Sequence, residues 1–82
     1  MTNRWTLSPR RSVIQTIYSF RHEEAVALRD AIWTLAEGPI PDQARAINTL
    51  EHGYEIQIEQ YLITYQLVWE TNTIKILLVE VV

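Results

Sequence analysis

Residues 53–82, GYEIQIEQYLITYQLVWETNTIKILLVEVV, limit what this chain can fold into more than any other stretch. Folding the run back at Glu59-Gln60 sets Ile58 opposite Tyr61, Ile56 opposite Ile63 and Tyr54 opposite Tyr65. The other face then carries Glu55 against Thr64 and Gln57 against Leu62. Side chains alternate between faces along a strand, so this register sends nearly every apolar residue to one side. A slip of one residue would scramble the sorting. The stretch therefore predicts an antiparallel hairpin, although Glu-Gln lacks the Asn or Gly that two-residue turns favour. A second turn at Glu70-Thr71-Asn72-Thr73 leads into residues 74–82, apolar almost throughout, as an interior strand would be.

Upstream, Arg4-Trp5-Thr6-Leu7 is a short strand candidate with Trp5 and Leu7 on one face. Ser8-Pro9 predicts a helix start, serine as N-cap and proline in the first helical position. Val13, Ile17 and Phe20 follow at helical spacing, flanked by Ile14 and Tyr18. A break over residues 19–22 precedes a second helix striped by Ala25, Leu28, Ile32 and Leu35. Glu23 and Glu24 suit its start, and Gly38-Pro39 ends it. Ile40-Pro41-Asp42-Gln43 is a connection, residues 44–50 (ARAINTL) an edge-strand candidate with poor alternation, and Gly53 a place to turn. The order predicts one α+β domain over residues 1–82. An N-terminal strand and a two-helix hairpin would pack on one face of a three- to four-stranded twisted antiparallel sheet.

Eighty-two residues bury only about 60% of their unfolded surface, which leaves a thin margin of stability. The absence of cysteine removes thiol catalysis and thiolate metal sites and fits the cytoplasm. No apolar run approaches the roughly 20 residues that span a bilayer, and MTNRWTLSPRR lacks the apolar stretch of a signal peptide. A cytoplasmic protein without membrane contact is expected. The net charge of −3 matters less than its distribution. Arg4, Arg10, Arg11, Arg21, Arg29 and Arg45 precede residue 46, whereas Lys75 alone faces Glu51, Glu55, Glu59, Glu70 and Glu80 in the strand-rich half. Nucleic-acid binders gain affinity by neutralising phosphates with clustered cations, so no polynucleotide is expected on this sheet.

Little points to catalysis, and no metal, cofactor or catalytic residue is assigned. His22-Glu23-Glu24 fails the His-Glu-x-x-His zinc spacing because position 26 is Val26. His52, beside Glu51 at a strand entrance, is the best general-base candidate, though a loop histidine without an assigned partner is in most cases only solvated. Glu55 and Glu59 serve to keep the uncovered sheet face soluble, and there is no Gly-rich phosphate loop. Trp5 and Trp69 are expected in strands and in the core. Trp33 lies off the buried stripe of its helix, near Val26, where tryptophan is favoured as an anchor for a partner protein. The exposed side of the last strand, with Val81, is a further candidate. An uncovered apolar strand tends to pair with another chain, so self-association or a bound partner is expected.

The order of elements and one run of residues resemble the RelE/ParE superfamily, toxins of bacterial type II toxin–antitoxin systems. The matching residues are Pro39-Ile40-Pro41-Asp42, then Tyr54, Ile56 and Ile58, the turn Glu59-Gln60, and Tyr61-Leu62-Ile63-Thr64-Tyr65. The resemblance covers nearly the whole chain and implies a small antitoxin-like partner. For the ribosome-dependent ribonucleases of the family it implies cations on the open sheet face that grip messenger RNA. The matching positions here hold Glu55 and Gln57, and the arginine after the hairpin turn is replaced by Leu62. The sequence also stops at Val82, before the basic and aromatic residues many members carry. A leucine cannot hold a scissile phosphate and a glutamate repels one, so RelE-type cleavage is not expected.

ParE-like members act instead by binding DNA gyrase, a mode less damaged by the loss of cations. The resemblance thus implies a toxin-like component that works by protein binding. Trp33, Val26, Glu55, Gln57, Leu62 and Val81 are its partner-binding candidates. The alternative is a catalytically inactive interaction or regulatory domain. Arginines from the amino-terminal segment, swung across the sheet face into a cationic pocket, would overturn the loss of nuclease chemistry.

Overall fold

The computed structural model describes residues 4–82. They form β1 (Thr6–Pro9), α1 (Arg11–Tyr18), α2 (His22–Leu35), β2 (Arg45–Ala46), β3 (Gly53–Ile58), β4 (Tyr61–Val68) and β5 (Thr73–Val81). The hairpin register expected from alternation is the one observed, from Tyr54 opposite Tyr65 to Ile58 opposite Tyr61. Tyr61, Ile63, Tyr65 and Leu67 are buried, while Leu62, Thr64, Gln66 and Val68 between them are half-buried on the other face. Glu59 closes the turn at φ 55°. That left-handed conformation costs an L-residue about 1 kcal/mol, which is why Asn or Gly is the usual occupant.

The sheet has five strands in the order β1-β5-β4-β3-β2, more than expected, and it is not wholly antiparallel. β1 runs parallel to β5, from Thr6 opposite Thr73 to Pro9 opposite Ile76. Ser8 and Pro9 therefore end a strand instead of starting a helix. The amides of Thr6 and Arg10 donate to the carbonyls of Asn72 and Ile76 at 2.8 and 2.9 Å. This spacing puts Pro9, which has no N–H, among the residues pointing away from β5, where an edge strand tolerates it. Helix α1 begins after Arg10, which caps it without a side-chain bond. Of residues 44–50, only Arg45 and Ala46 pair, with Glu55 and Tyr54. The chain then turns back on itself, the Gly53 amide donating to the Leu50 carbonyl at 3.0 Å, and the poor alternation there reflects a turn more than a strand.

Both helices cover one face. Val13 of α1 and Leu28, Ile32 and Leu35 of α2 join Ile56, Ile63, Tyr65, Leu67, Ile74 and Ile76 in a single core, with Ile17 and Phe20 packed against it. β5 is an interior strand, as its apolar run suggested, so the uncovered side expected to pair with another chain is instead closed by β1; the strand also carries a bulge. Thr64 pairs with Leu78 and Tyr65 with Ile76, which leaves Leu77 as the extra residue. The bulge lets Ile74, Ile76 and Val79 all be buried, although unbroken alternation would turn Val79 outward. Trp69, expected in a strand and in the core, falls past the end of β4 and is 50% exposed. Its ring meets Trp5 edge-on, with centroids 4.9 Å apart.

Tyr65 is the largest fully buried side chain. Its hydroxyl donates to the Pro39 carbonyl at 2.7 Å and ties the connection after α2 to the sheet. Burial, and then the neighbouring Tyr54 phenol, push its pKa from 10.0 up to about 12. The unfolded chain releases this proton at lower pH than the folded one. The associated stability is therefore complete below pH 10 and is lost as pH climbs through about 12. Tyr65→Phe is expected to remove that alkaline component and to cost about 1–2 kcal/mol at neutral pH, because the Pro39 carbonyl loses its donor. Identical alkaline-unfolding curves for the two chains, followed by circular dichroism, would count against this account.

Candidate functional site

Residues directly opposite one another in a sheet share a face, so the pairings draw the surface away from the helices. Gln57 stands beside Leu62, and Leu62 beside Glu80. Glu55 stands beside Thr64, and Thr64 beside Leu78. Farther along, Gln66, Lys75 and Ser8 form one row and Val68, Thr73 and Thr6 the next. Glu55, Gln57 and Leu62, three of the candidates from sequence, are thus brought together.

One arginine does reach this face, although it comes from the connection before β3 and not from the amino-terminal segment. Arg45 pairs with Glu55 across β2 and β3, and its guanidinium donates to a Glu55 carboxylate oxygen at 2.9 Å. It is held by a carboxylate and does not form a cationic pocket. The face is also not acidic, as the sequence had implied, because Glu51, Glu59 and Glu70 fall in turns at its ends. Arg45 and Lys75 balance Glu55 and Glu80. What remains is a neutral surface of hydroxyls, amides and aliphatic groups, suited to hydrogen bonding and apolar contact.

His52 sits in a tight corner at φ 55°, and it lines a pocket at one end of this face with Gln66, Val68 and Lys75. Its side chain is 52% exposed, with its ring 3.7 Å from the Glu51 carboxylate. Its carbonyl accepts the Leu67 amide at 3.0 Å, so its backbone helps to hold the entrance to β3. Among the described residues, no three His, Asp or Glu side chains gather where they could hold a metal, and no helix is long and apolar enough to cross a membrane.

A second surface lies on the helices. Trp33 is 52% exposed, with the Arg4 guanidinium 5.6 Å above its ring. Arg4 also meets the Glu37 carboxylate at 3.0 Å, which pins the start of the described chain to the end of α2. Val26 lies two turns earlier on the same side of the helix. It lines a cleft of about 570 Å³ between α1 and α2, together with Ile14, Ile17, Tyr18, Phe20 and, at the rim, Arg29. Ile14 and Tyr18 are 37% and 83% exposed. Sequence reasoning noted both beside the buried stripe but gave them no role; their spacing of four residues off that stripe was the signal. Val81, 58% exposed, stands apart from both surfaces at the end of β5, opposite Tyr61. The candidates thus occupy three places.

No protein-family model matches the sequence, and no curated protein does. Solved structures match its fold. The toxin–antitoxin complex RelBE2 of Mycobacterium tuberculosis aligns with TM-score 0.83 at 14% identity, over 100% of this chain and 95% of that one. The archaeal RelE–RelB complex of Pyrococcus horikoshii gives 0.77 at 17% identity, over 99% and 96%. The RelBE toxin–antitoxin complex of E. coli gives 0.78 at 15%, over 95% and 96%. At such identities the likeness is one of architecture, and it extends over nearly the full length of each chain. This protein has the RelE-like α+β fold.

Proposed function

We propose that this chain is the toxin-like component of a type II toxin–antitoxin pair, and that it acts in the cytoplasm by binding a protein rather than by cutting RNA. A small antitoxin-like protein is its neutralising partner. The fold supports the general reading. The Arg45–Glu55 pair carries the specific one: on the face where RelE-type cleavage needs free cations, this arginine is engaged by a carboxylate at 2.9 Å. A phosphate brought there would have to displace a charge-assisted bond and approach Glu55. A partner protein needs only the apolar and hydrogen-bonding groups already present.

Induced alone in bacteria, the protein is expected to arrest growth while leaving messenger RNA intact in primer-extension assays. Arrest accompanied by codon-periodic cleavage would refute the protein-binding mode. Unimpaired growth would instead favour the second reading, an inactive interaction or regulatory domain, which the same neutralised face also suits.

A further inference from the structure

We infer that the chain pairs with a second copy of itself through the sheet face away from the helices, by a twofold contact that sets Lys75 of each copy against Glu80 of the other. The inference rests on the protein-binding reading of this face and names one protein that it binds. Lys75 and Glu80 are five residues apart on one strand, a spacing that unbroken alternation would send to opposite sides. The bulge at Leu77 removes one step. Lys75 then stands beside Gln66 and Glu80 beside Leu62, on the same face, with Thr64 and Leu78 in the row halfway between them. Both charges are exposed. Lys75 lines a pocket with Glu51 and Glu70, yet among the described residues neither Lys75 nor Glu80 has an ion-pair partner.

A twofold axis lying along the Thr64–Leu78 row, across the strands, would reverse strand direction and lay β5 on β5 and β4 on β4. Lys75 then meets Glu80 of the second copy and Glu80 meets its Lys75, roughly 7 Å to either side of the axis at about 3.4 Å per residue. Leu78, 46% exposed, meets its own counterpart near the axis, and Leu62 lies over Gln66. Arg45 and Glu55 already hold each other at 2.9 Å and bring no unmatched charge. An unrelated partner would have to supply both complementary charges at this spacing, whereas a second copy carries them. Five strands and a central strand of eight residues give a face of roughly 600 Å² at the usual strand spacing. Two such faces bury about 1,200 Å², the lower end for specific association, which points to a reversible dimer. The contact uses the face proposed for the target, so second copy and target exclude each other.

Sedimentation velocity of the intact chain across micromolar concentrations reads the monomer–dimer equilibrium. Lys75→Glu turns both contacts into facing carboxylates, and Glu80→Lys turns both into facing ammonium groups. Each is expected to raise the dimer Kd on the order of a hundredfold. Mixed together, the two variants are complementary at both contacts and should pair to within about threefold of the unaltered affinity. Circular dichroism checks that each variant folds. Should one fail, the double variant Lys75→Glu, Glu80→Lys exchanges the charges within one chain and must dimerise as the unaltered chain does.

An unaltered chain that stays monomeric throughout, a dimer that the single variants leave intact, or folded variants that do not pair when mixed would overturn the inference. Growth arrest by a chain that never dimerises would sink this proposal alone. A dimer that follows the charge exchanges, in a chain that leaves growth unimpaired, would uphold it and remove only the toxic activity proposed above.

Discussion

Ile63→Ala is expected to cost about 3–4 kcal/mol of folding stability. Ile63 is fully buried at the centre of the sheet, opposite Ile56 of β3 on one side and Val79 of β5 on the other. Its truncation opens a void that neighbours on two strands cannot jointly fill. A domain of this length has only roughly 4–12 kcal/mol in total, so the variant should be near the edge of unfolding. Leu62→Ala, one residue away on the face without helices, should cost no more than about 1 kcal/mol. Urea unfolding of the two variants measures the contrast as a shift in midpoint at unchanged slope. Equal shifts at the two positions would mean that the core is not confined to one side of β4.

The double variant Glu55→Arg, Leu62→Arg is expected to acquire nucleic-acid binding that the unaltered chain lacks. Removing the carboxylate frees Arg45, now held at 2.9 Å, and the substitutions add two further cations on the same face. Three new phosphate contacts should steepen the dependence of log K on log salt for single-stranded RNA by roughly 2. Affinity at low salt should rise on the order of a hundredfold. Filter binding at several salt concentrations gives both quantities. Should the unaltered chain already bind RNA with such a slope, and Arg45→Ala abolish it, the protein-directed reading would fail.

The parts of the fold legible in the sequence are those decided by neighbours in the chain. The β3–β4 register could be read because alternation from Tyr54 to Tyr65 admits one solution. The stripe of Leu28, Ile32 and Leu35 could be read because helical period is a local property. Ser8-Pro9 misled for the same reason. It is a strong local signal for a helix start, overridden by a pairing with β5 that only the assembled sheet provides. The bulge at Leu77 was hidden because the last strand is apolar at nearly every position, so either face suits its residues.

The candidate site was legible to a lesser extent. Glu55, Gln57 and Leu62 share a face because they alternate within the hairpin, and that much follows from sequence. The role of Arg45 does not, since it depends on a two-residue strand whose register no pattern announces. Trp33 was identifiable by its place off the buried stripe. The cleft beside Val26 depends on how two helices cross, and sequence periodicity is silent on that.

The parallel alignment of Thr6 with Thr73 has a consequence for synthesis. Contacts between residues so far apart in the chain are formed late, because loop closure comes before any reward from pairing. During translation β1 emerges early, yet its neighbour in the sheet is β5. A nascent chain therefore carries its first strand unmatched until Thr73 and the residues after it have left the ribosome. Finished architecture, and any activity that depends on it, arrives only when that strand is free to dock.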